Sequence, residues 1–386
     1  MADADAGFGV YIHWPFCAAK CPYCDFNSHV RDGVDQDRWA EALCTELGHV
    51  ASQSDPQTLR SVFFGGGTPS LMDPKTVGRV LDTVHELWPS DGAVEVTIEG
   101  NPTSVEAGRF AGYAAAGVNR VSLGVQALND TDLRALGRMH TAQEAKEAIG
   151  LAHRYFDRVS FDLIYARQRQ TLQEWCSELK QALSLAADHM SLYQLTIEPG
   201  TAFGARFEAG RLKGLPGDDL AADLYEATQQ ICETAGLPAY EVSNHAVTGA
   251  ESQHNLIYWR GGLFVGVGPG AHGRVSRDGV VYATRATASP EEWLTERDTQ
   301  PGSTTAWERV PDQERATEYL MMALRLSEGA SLSTYEGLAG SGISTDVIDS
   351  LSKDGFIDHT GDRIVASAKG RVVLNALLRE LLLADA

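Results

Sequence analysis

Six short β-rich runs, each followed by a helical pattern, restrict this chain to an α/β architecture before anything else is considered. The runs are 9–14 (GVYIHW), 61–65 (SVFFG), 93–99 (AVEVTIE), 120–126 (RVSLGVQ), 158–165 (RVSFDLIY) and 190–197 (MSLYQLTI). They are rich in Val, Ile, Phe and Tyr and bounded by Gly, Pro, Asn or Asp, as strands are. Between them, Leu172, Trp175, Leu179 and Leu183 recur on one helix face across 171–187, and Thr171 with Glu174 supplies a capping box. Asp73 as N-cap and Pro74 behind it open another helix over 75–87. Strands that alternate with helices in this way run parallel, joined by right-handed crossovers. An open doubly wound sheet and a barrel both satisfy the pattern.

The segment 200–312 is Gly- and Pro-rich, with a helix expected over 220–234 and strands over 238–243 and 263–267. From residue 313 the pattern changes: helices over 314–326 and 345–353 with a shorter one between, a hairpin of 356–358 and 363–366, and a closing helix over 369–383. Helices followed by a two-stranded wing suggest a winged-helix-like α+β domain. DNA binding by such a wing needs a basic face, but residues 341–386 carry five Lys/Arg against seven Asp/Glu. The whole chain has 32 Lys and Arg against 52 Asp and Glu, a net charge of −20, which argues against nucleic acid as a partner. No stretch approaches the ~18 apolar residues of a spanning helix. The first residues have neither signal nor transit character. A cytoplasmic location is expected, and with no basic amphipathic helix, membrane contact would come only through a partner.

In parallel α/β proteins chemistry gathers at the carboxyl ends of the strands. The first run leads to Cys17, Cys21 and Cys24, the second ends in Gly65-Gly66-Gly67-Thr68-Pro69, and the third in Glu99-Gly100-Asn101-Pro102. The fourth ends in Gly124-Val125-Gln126, the fifth carries Asp162, and the sixth Gln194 and Thr196. One shared pocket is the economical reading. Three thiols within eight residues suit a metal or redox site better than a disulfide framework, whereas Cys44, Cys176 and Cys232 are scattered in helical patterns. The trio can hold a [4Fe–4S] cluster with one iron left open. Zinc completed by His13 or His29, and plain buried cysteines, are the alternatives. The bare backbone of 65–67 can accept from an ammonium group, Glu99 can bind ribose hydroxyls, and Arg138 can pair with a carboxylate. An amino acid joined to a nucleoside meets these demands together.

CxxxCxxC with Tyr23 before the last cysteine is similar to the signature of radical S-adenosylmethionine (SAM) enzymes. Tyr11-Ile12-His13-Trp14-Pro15-Phe16-Cys17, GGGTPS, Glu99–Pro102, Gly124–Gln126, Leu136–His140 and Asp162–Tyr165 together resemble the oxygen-independent coproporphyrinogen III oxidase group, nearly end to end. The resemblance implies an incomplete (β/α)6 barrel over 1–200, a barrel extension and connecting segment over 201–312, and the winged-helix-like domain over 313–386. It implies Cys17, Cys21 and Cys24 as cluster ligands, and SAM contacts at Tyr11, Tyr23, Gly66, Gly67, Thr68, Glu99, Gln126, Arg138 and Asp162. One departure is that Ala166-Arg167-Gln168 follows the fifth strand where the group has Gly-Leu-Pro, which puts that turn in question.

Two branches of the group compete. The decarboxylating oxidases, which convert coproporphyrinogen III to protoporphyrinogen IX, resemble CxxxCxxCxC and carry a long N-terminal extension. Here Phe26 holds the place of the extra cysteine and 16 residues precede Cys17. The HemW-type heme chaperones resemble CxxxCxxCxF with HNxxYW, matched by His254-Asn255-Leu256-Ile257-Tyr258-Trp259. That resemblance implies heme as ligand, respiratory-chain proteins as its acceptors, and His254 as an axial iron ligand, with Tyr258 and Trp259 placed to stack on a porphyrin.

Overall fold

The computed structural model of the chain describes residues 6–31, 33–186, 188–299 and 305–383. The opening residues read above for targeting character, and Ala187 at the expected helix end, lie outside these ranges.

The six expected strands form as β1 (Phe8–Trp14), β2 (Leu59–Gly66), β3 (Glu95–Gly100), β4 (Arg120–Gln126), β5 (Arg158–Tyr165) and β6 (His189–Gln194), all parallel and adjacent in unbroken order. A doubly wound sheet reverses its strand order; this one does not. Crossovers of one hand therefore set every helix on the same face, and the sheet curls with its other face inside, giving the incomplete (β/α)6 barrel. Side chains obey that division. Val10, Ile12, Val62, Phe64, Val96, Ile98, Val121, Leu123, Phe161 and Leu163 belong to the main hydrophobic core. The alternate positions carry Ser61, Thr97, Glu99, Ser122, Ser160 and Asp162, so the barrel's inner face is polar.

Local signals formed much as their chemistry dictates. Thr171 caps the helix Leu172–Leu183 with both halves of the capping box in place, and Pro74 occupies the first turn of Pro74–Leu87. The segment 201–312 extends the barrel sheet. Asn244–Ala246 (β7) lies antiparallel beside β6, while Leu263–Val267 (β8) pairs parallel with β1. His272–Arg277 (β9), Val280–Arg285 (β10) and Ala306–Arg309 (β11) then continue antiparallel.

Residues 238–243 do not form the expected strand. Glu241 is buried there and accepts from the Ser243 N–H at 3.0 Å and Asn244 Nδ2 at 2.6 Å, folding the chain into turns before β7. The C-terminal part has its own core, with Leu320, Tyr335, Ile364 and Leu381 buried. Its helices Asp312–Ala323, Leu332–Ala339 and Thr345–Lys353 pack with a small sheet of Ala330–Ser331 (β12), Ile357–Thr360 (β13) and Arg363–Ala366 (β14), in order β12-β14-β13. That is the winged-helix-like arrangement. The closing helix is broken into Ala368–Val372 and Leu374–Leu383. Among the described residues no helix is long and apolar enough to cross a membrane.

Candidate functional site

The carboxyl ends of β2 to β5, together with the loop after β1, surround a cavity of about 140 Å³. Its wall includes Cys17, Cys21, Tyr23, Cys24, Gly66, Gly67, Thr68, Glu99, Gln126, Arg138 and Asp162. The loop that carries the thiols is closed at its base by pairing of Phe16–Cys17 with His29–Val30. Phe26 is 59% exposed on the same wall.

Two of the sulfurs already receive hydrogen bonds. Thr68 Oγ1 donates to Cys17 Sγ at 3.3 Å and in turn accepts from Asn101 Nδ2 at 3.3 Å. Arg138 Nη1 donates to Cys21 Sγ at 3.2 Å, while its Nη2 is fixed by Asn101 Oδ1 at 2.5 Å and the Gly124 carbonyl at 2.8 Å. Burial pushes the Cys17 thiol pKa up and the Thr68 hydrogen bond opposes it. A site of this kind favours thiolate once a positive centre arrives.

Neither zinc candidate joins the trio. His13 spends both ring nitrogens on Tyr11 Oη (3.1 Å) and the Asn27 carbonyl (2.9 Å), and His29 bonds Asn27 Oδ1 at 3.1 Å. Among the described residues no three His, Cys, Asp or Glu side chains are gathered at the spacing of a single metal ion.

The opposite wall is acidic and partly bare. Burial raises the Glu99 carboxyl to about 8, with the Asp162 charge adding to the effect. Asp162 is itself raised to about 6 by burial, against hydrogen bonds from Ser191 and Ser122. Carboxyl groups pushed this far up by burial favour a cationic neighbour. Gly66 sits at φ 108°, and a Cβ on Gly67 would meet the Trp14 and Phe16 carbonyl oxygens at 2.9 and 2.8 Å, so only glycine leaves this backbone open. Gln126 has φ 71°, and its buried Oε1 has no partner among the described residues. That orphaned acceptor suits a hydrogen-bond donor on a polar ligand.

Two expected contacts, Tyr11 and His254, are not on this wall. His254 is 1% exposed and accounts for both ring nitrogens, at 2.8 Å from Ser61 Oγ and 2.7 Å from Tyr258 Oη. Burial lowers its pKa to about 3. Its ring stacks on Phe63 (5.0 Å) and Tyr11 (6.3 Å), forming an aromatic partition behind the cavity. Gln194 and Thr196 are exposed and also stand apart. Asn101, named at the end of the third run, is on the wall, and Ser122 was missed as a wall residue. The alternation along β4 could have found Ser122, since it lies two positions before Gly124.

The unusual turn after β5 holds together differently from the expected Gly-Leu-Pro. Ala166 takes φ 58°, and buried Arg167 donates to the Ile164 carbonyl at 2.6 Å and pairs with Glu178 and Asp132 (2.8 Å to the latter). On the other side, Asn27 Nδ2 ties the thiol loop to the carbonyls of Pro269 and Ala288, both at 2.9 Å.

The Radical SAM superfamily profile matches residues 11–181, and the HemN C-terminal domain profile matches 310–373. Heme chaperone HemW of Escherichia coli is 38% identical over 386 residues, covering 97% of this chain and 98% of its own. The mitochondrial radical S-adenosyl methionine domain-containing protein 1 of Mus musculus is 39% identical, covering 98% of this chain and 88% of its own. Coproporphyrinogen III oxidase (HemN) from Escherichia coli shares the fold, with a TM-score of 0.78 at 22% identity over 98% of this chain and 89% of that one. A thiol-walled cavity at the mouth of an incomplete barrel and likeness that runs the length of the chain lead to one placement: the chain belongs to the HemW heme-chaperone family of radical SAM proteins.

Proposed function

We propose that this protein is a heme chaperone that binds heme and passes it to acceptor proteins, those of the respiratory chain among them, in the cytoplasm. The end-to-end likeness to HemW carries the reading. The three-thiol cavity, with Phe26 where the oxidase branch has a fourth cysteine, agrees with it. Residues 1–200 act as the barrel, 201–312 as its extension bearing HNxxYW, and 313–386 as the closing domain.

Cys17, Cys21 and Cys24 would hold a [4Fe–4S] cluster, which with S-adenosylmethionine would supply redox chemistry at the barrel mouth. The chain's own groups shape that site. Thr68 and Arg138 donate to two of the sulfurs and temper their charge. Glu99 and Asp162 face the cationic ligand, Gln126 offers an unpaired acceptor, and Gly66 and Gly67 let it approach the backbone.

Titration of anaerobically reconstituted protein with hemin should give a saturable Soret shift, and mixing the loaded protein with an apo-cytochrome should move the absorbance to the acceptor. A wild-type protein with no saturable shift overturns the reading.

A further inference from the structure

A larger cavity lies elsewhere. About 640 Å³ in volume and mostly apolar, it is bounded by the barrel extension on one side and by the helices Asp312–Ala323 and Leu332–Ala339 on the other. That volume falls within the ~300–1,000 Å³ of small-molecule and cofactor sites. Four arginines and two glutamates line it, a cationic wall on a chain whose net charge is −20. Two of the arginines are already paired, Arg274 with Glu318 and Arg260 with Glu328. Among the described residues Arg315 reaches the Asp312 carboxylate at 3.7 Å, and Arg325 lies over the Trp259 ring while donating to the Met321 carbonyl at 3.2 Å. The buried indole N–H of Trp259 has no acceptor among the described residues.

His272 stands in the same wall, exposed, and no side-chain hydrogen bond engages its ring among the described residues. Its pKa is lowered by burial and by Arg285 and Arg274. The turn before it is built to present it. Gly268 (φ 104°) and Gly270 (φ 75°) reverse the chain, and a Cβ on Gly266 would collide with the His272 backbone.

We propose that this cavity is the heme seat, with His272 as the ligand to iron and Arg315, Arg325 and the Trp259 N–H receiving the propionates. The assignment rests on the heme-chaperone reading and moves the iron ligand away from the buried His254. A planar, largely apolar macrocycle with a Lewis-acidic centre and two carboxylate arms matches this wall group by group. His254 is then a positioning residue: its Nε2 holds Tyr258, which lines the cavity, without reaching the iron.

The test is hemin titration of the full-length wild type, His272→Gly, His254→Ala and Met322→Trp. Met322 lines the cavity from an exposed position, so the larger side chain fills the space without entering a core. In His272→Gly the wild-type Soret position should be lost and hemin affinity should fall at least tenfold, and added imidazole should restore the band. Met322→Trp should block binding, and His254→Ala should weaken binding while leaving the band position unchanged. If the wild type binds hemin and His272→Gly gives the same spectrum, the assignment is overturned while the chaperone reading stands. A band shift in His254→Ala alone overturns it equally. No saturable binding by wild type removes both.

Discussion

Two cavities of this molecule are opposites. The one at the barrel mouth is small, acidic, lined by thiols and bare backbone, and assembled from the ends of consecutive strands. The one beside the C-terminal domain is more than four times larger, apolar and rimmed by arginines, and its walls come from segments distant in sequence. Between them runs a chain of contacts: Tyr258 to His254, His254 to Tyr11, and Tyr11 to His13. His13 in turn lies beneath Gly66, where a Cβ would meet the imidazole at 2.5 Å. One cavity is suited to hold a small cationic nucleoside against iron and the other a broad flat anion. With the proposed assignments, separate compartments would let one chain bind both at once.

The largest effect that would break this contrast concerns the thiols. Cys17→Ala, Cys21→Ala and Cys24→Ala should each abolish most of the bound iron and sulfide after anaerobic reconstitution, since a three-ligand site has no spare thiolate. Cys44→Ala, on a helix away from the site, should retain the wild-type amount. Equal iron in all four variants would remove the distinction between the two cavities.

His254→Ala probes the partition. It strands the Ser61 hydroxyl and the Tyr258 hydroxyl, at roughly 1–3 kcal/mol for each buried group left unsatisfied, so its melting temperature should drop by several degrees. His272→Gly should melt near the wild type. A reversed ranking would place the structural histidine in the wrong compartment.

The smallest effect is in pH. Glu99 has a folded pKa of about 8 against an ordinary 4.5, so the folded protein binds its proton more tightly than the unfolded chain. Stability from this group is complete below pH 4.5 and is lost as pH rises through about 8. Melting of the ligand-free protein across that window should show this fall, and Glu99→Gln should flatten it. An unchanged slope in the variant would show that the barrel mouth is less enclosed than its geometry indicates.

What the sequence disclosed follows the same division. A parallel barrel places each functional group at the end of a short apolar run, so the thiols, Thr68, Glu99, Gln126 and Asp162 could be read from where the runs stop. β4 and β5 even begin and end at the expected residues. The large cavity left no local period to read, because Trp259, His272 and Arg315 meet only when the extension and the winged-helix-like part are in place. The run 238–243 looked like a strand because its apolar and polar residues alternate, yet Glu241 draws the backbone into turns. Tyr11 and His254 were expected at cofactors because motif membership cannot reveal that the interior has already engaged the Tyr11 hydroxyl and both ring nitrogens of His254. Ala166 shows the same limit: a left-handed φ costs a non-glycine residue roughly 1–2 kcal/mol, and the distant pairing of Arg167 with Glu178 and Asp132 offsets it.

A single amide, that of Asn27, grips two carbonyls across more than 240 residues of sequence, one of them in the hairpin bend that presents His272. The iron–sulfur loop and the imidazole ledge therefore share a bolt. Any movement of the thiol loop that carries Asn27 with it also pulls on the Pro269 carbonyl, in the bend that leads to His272.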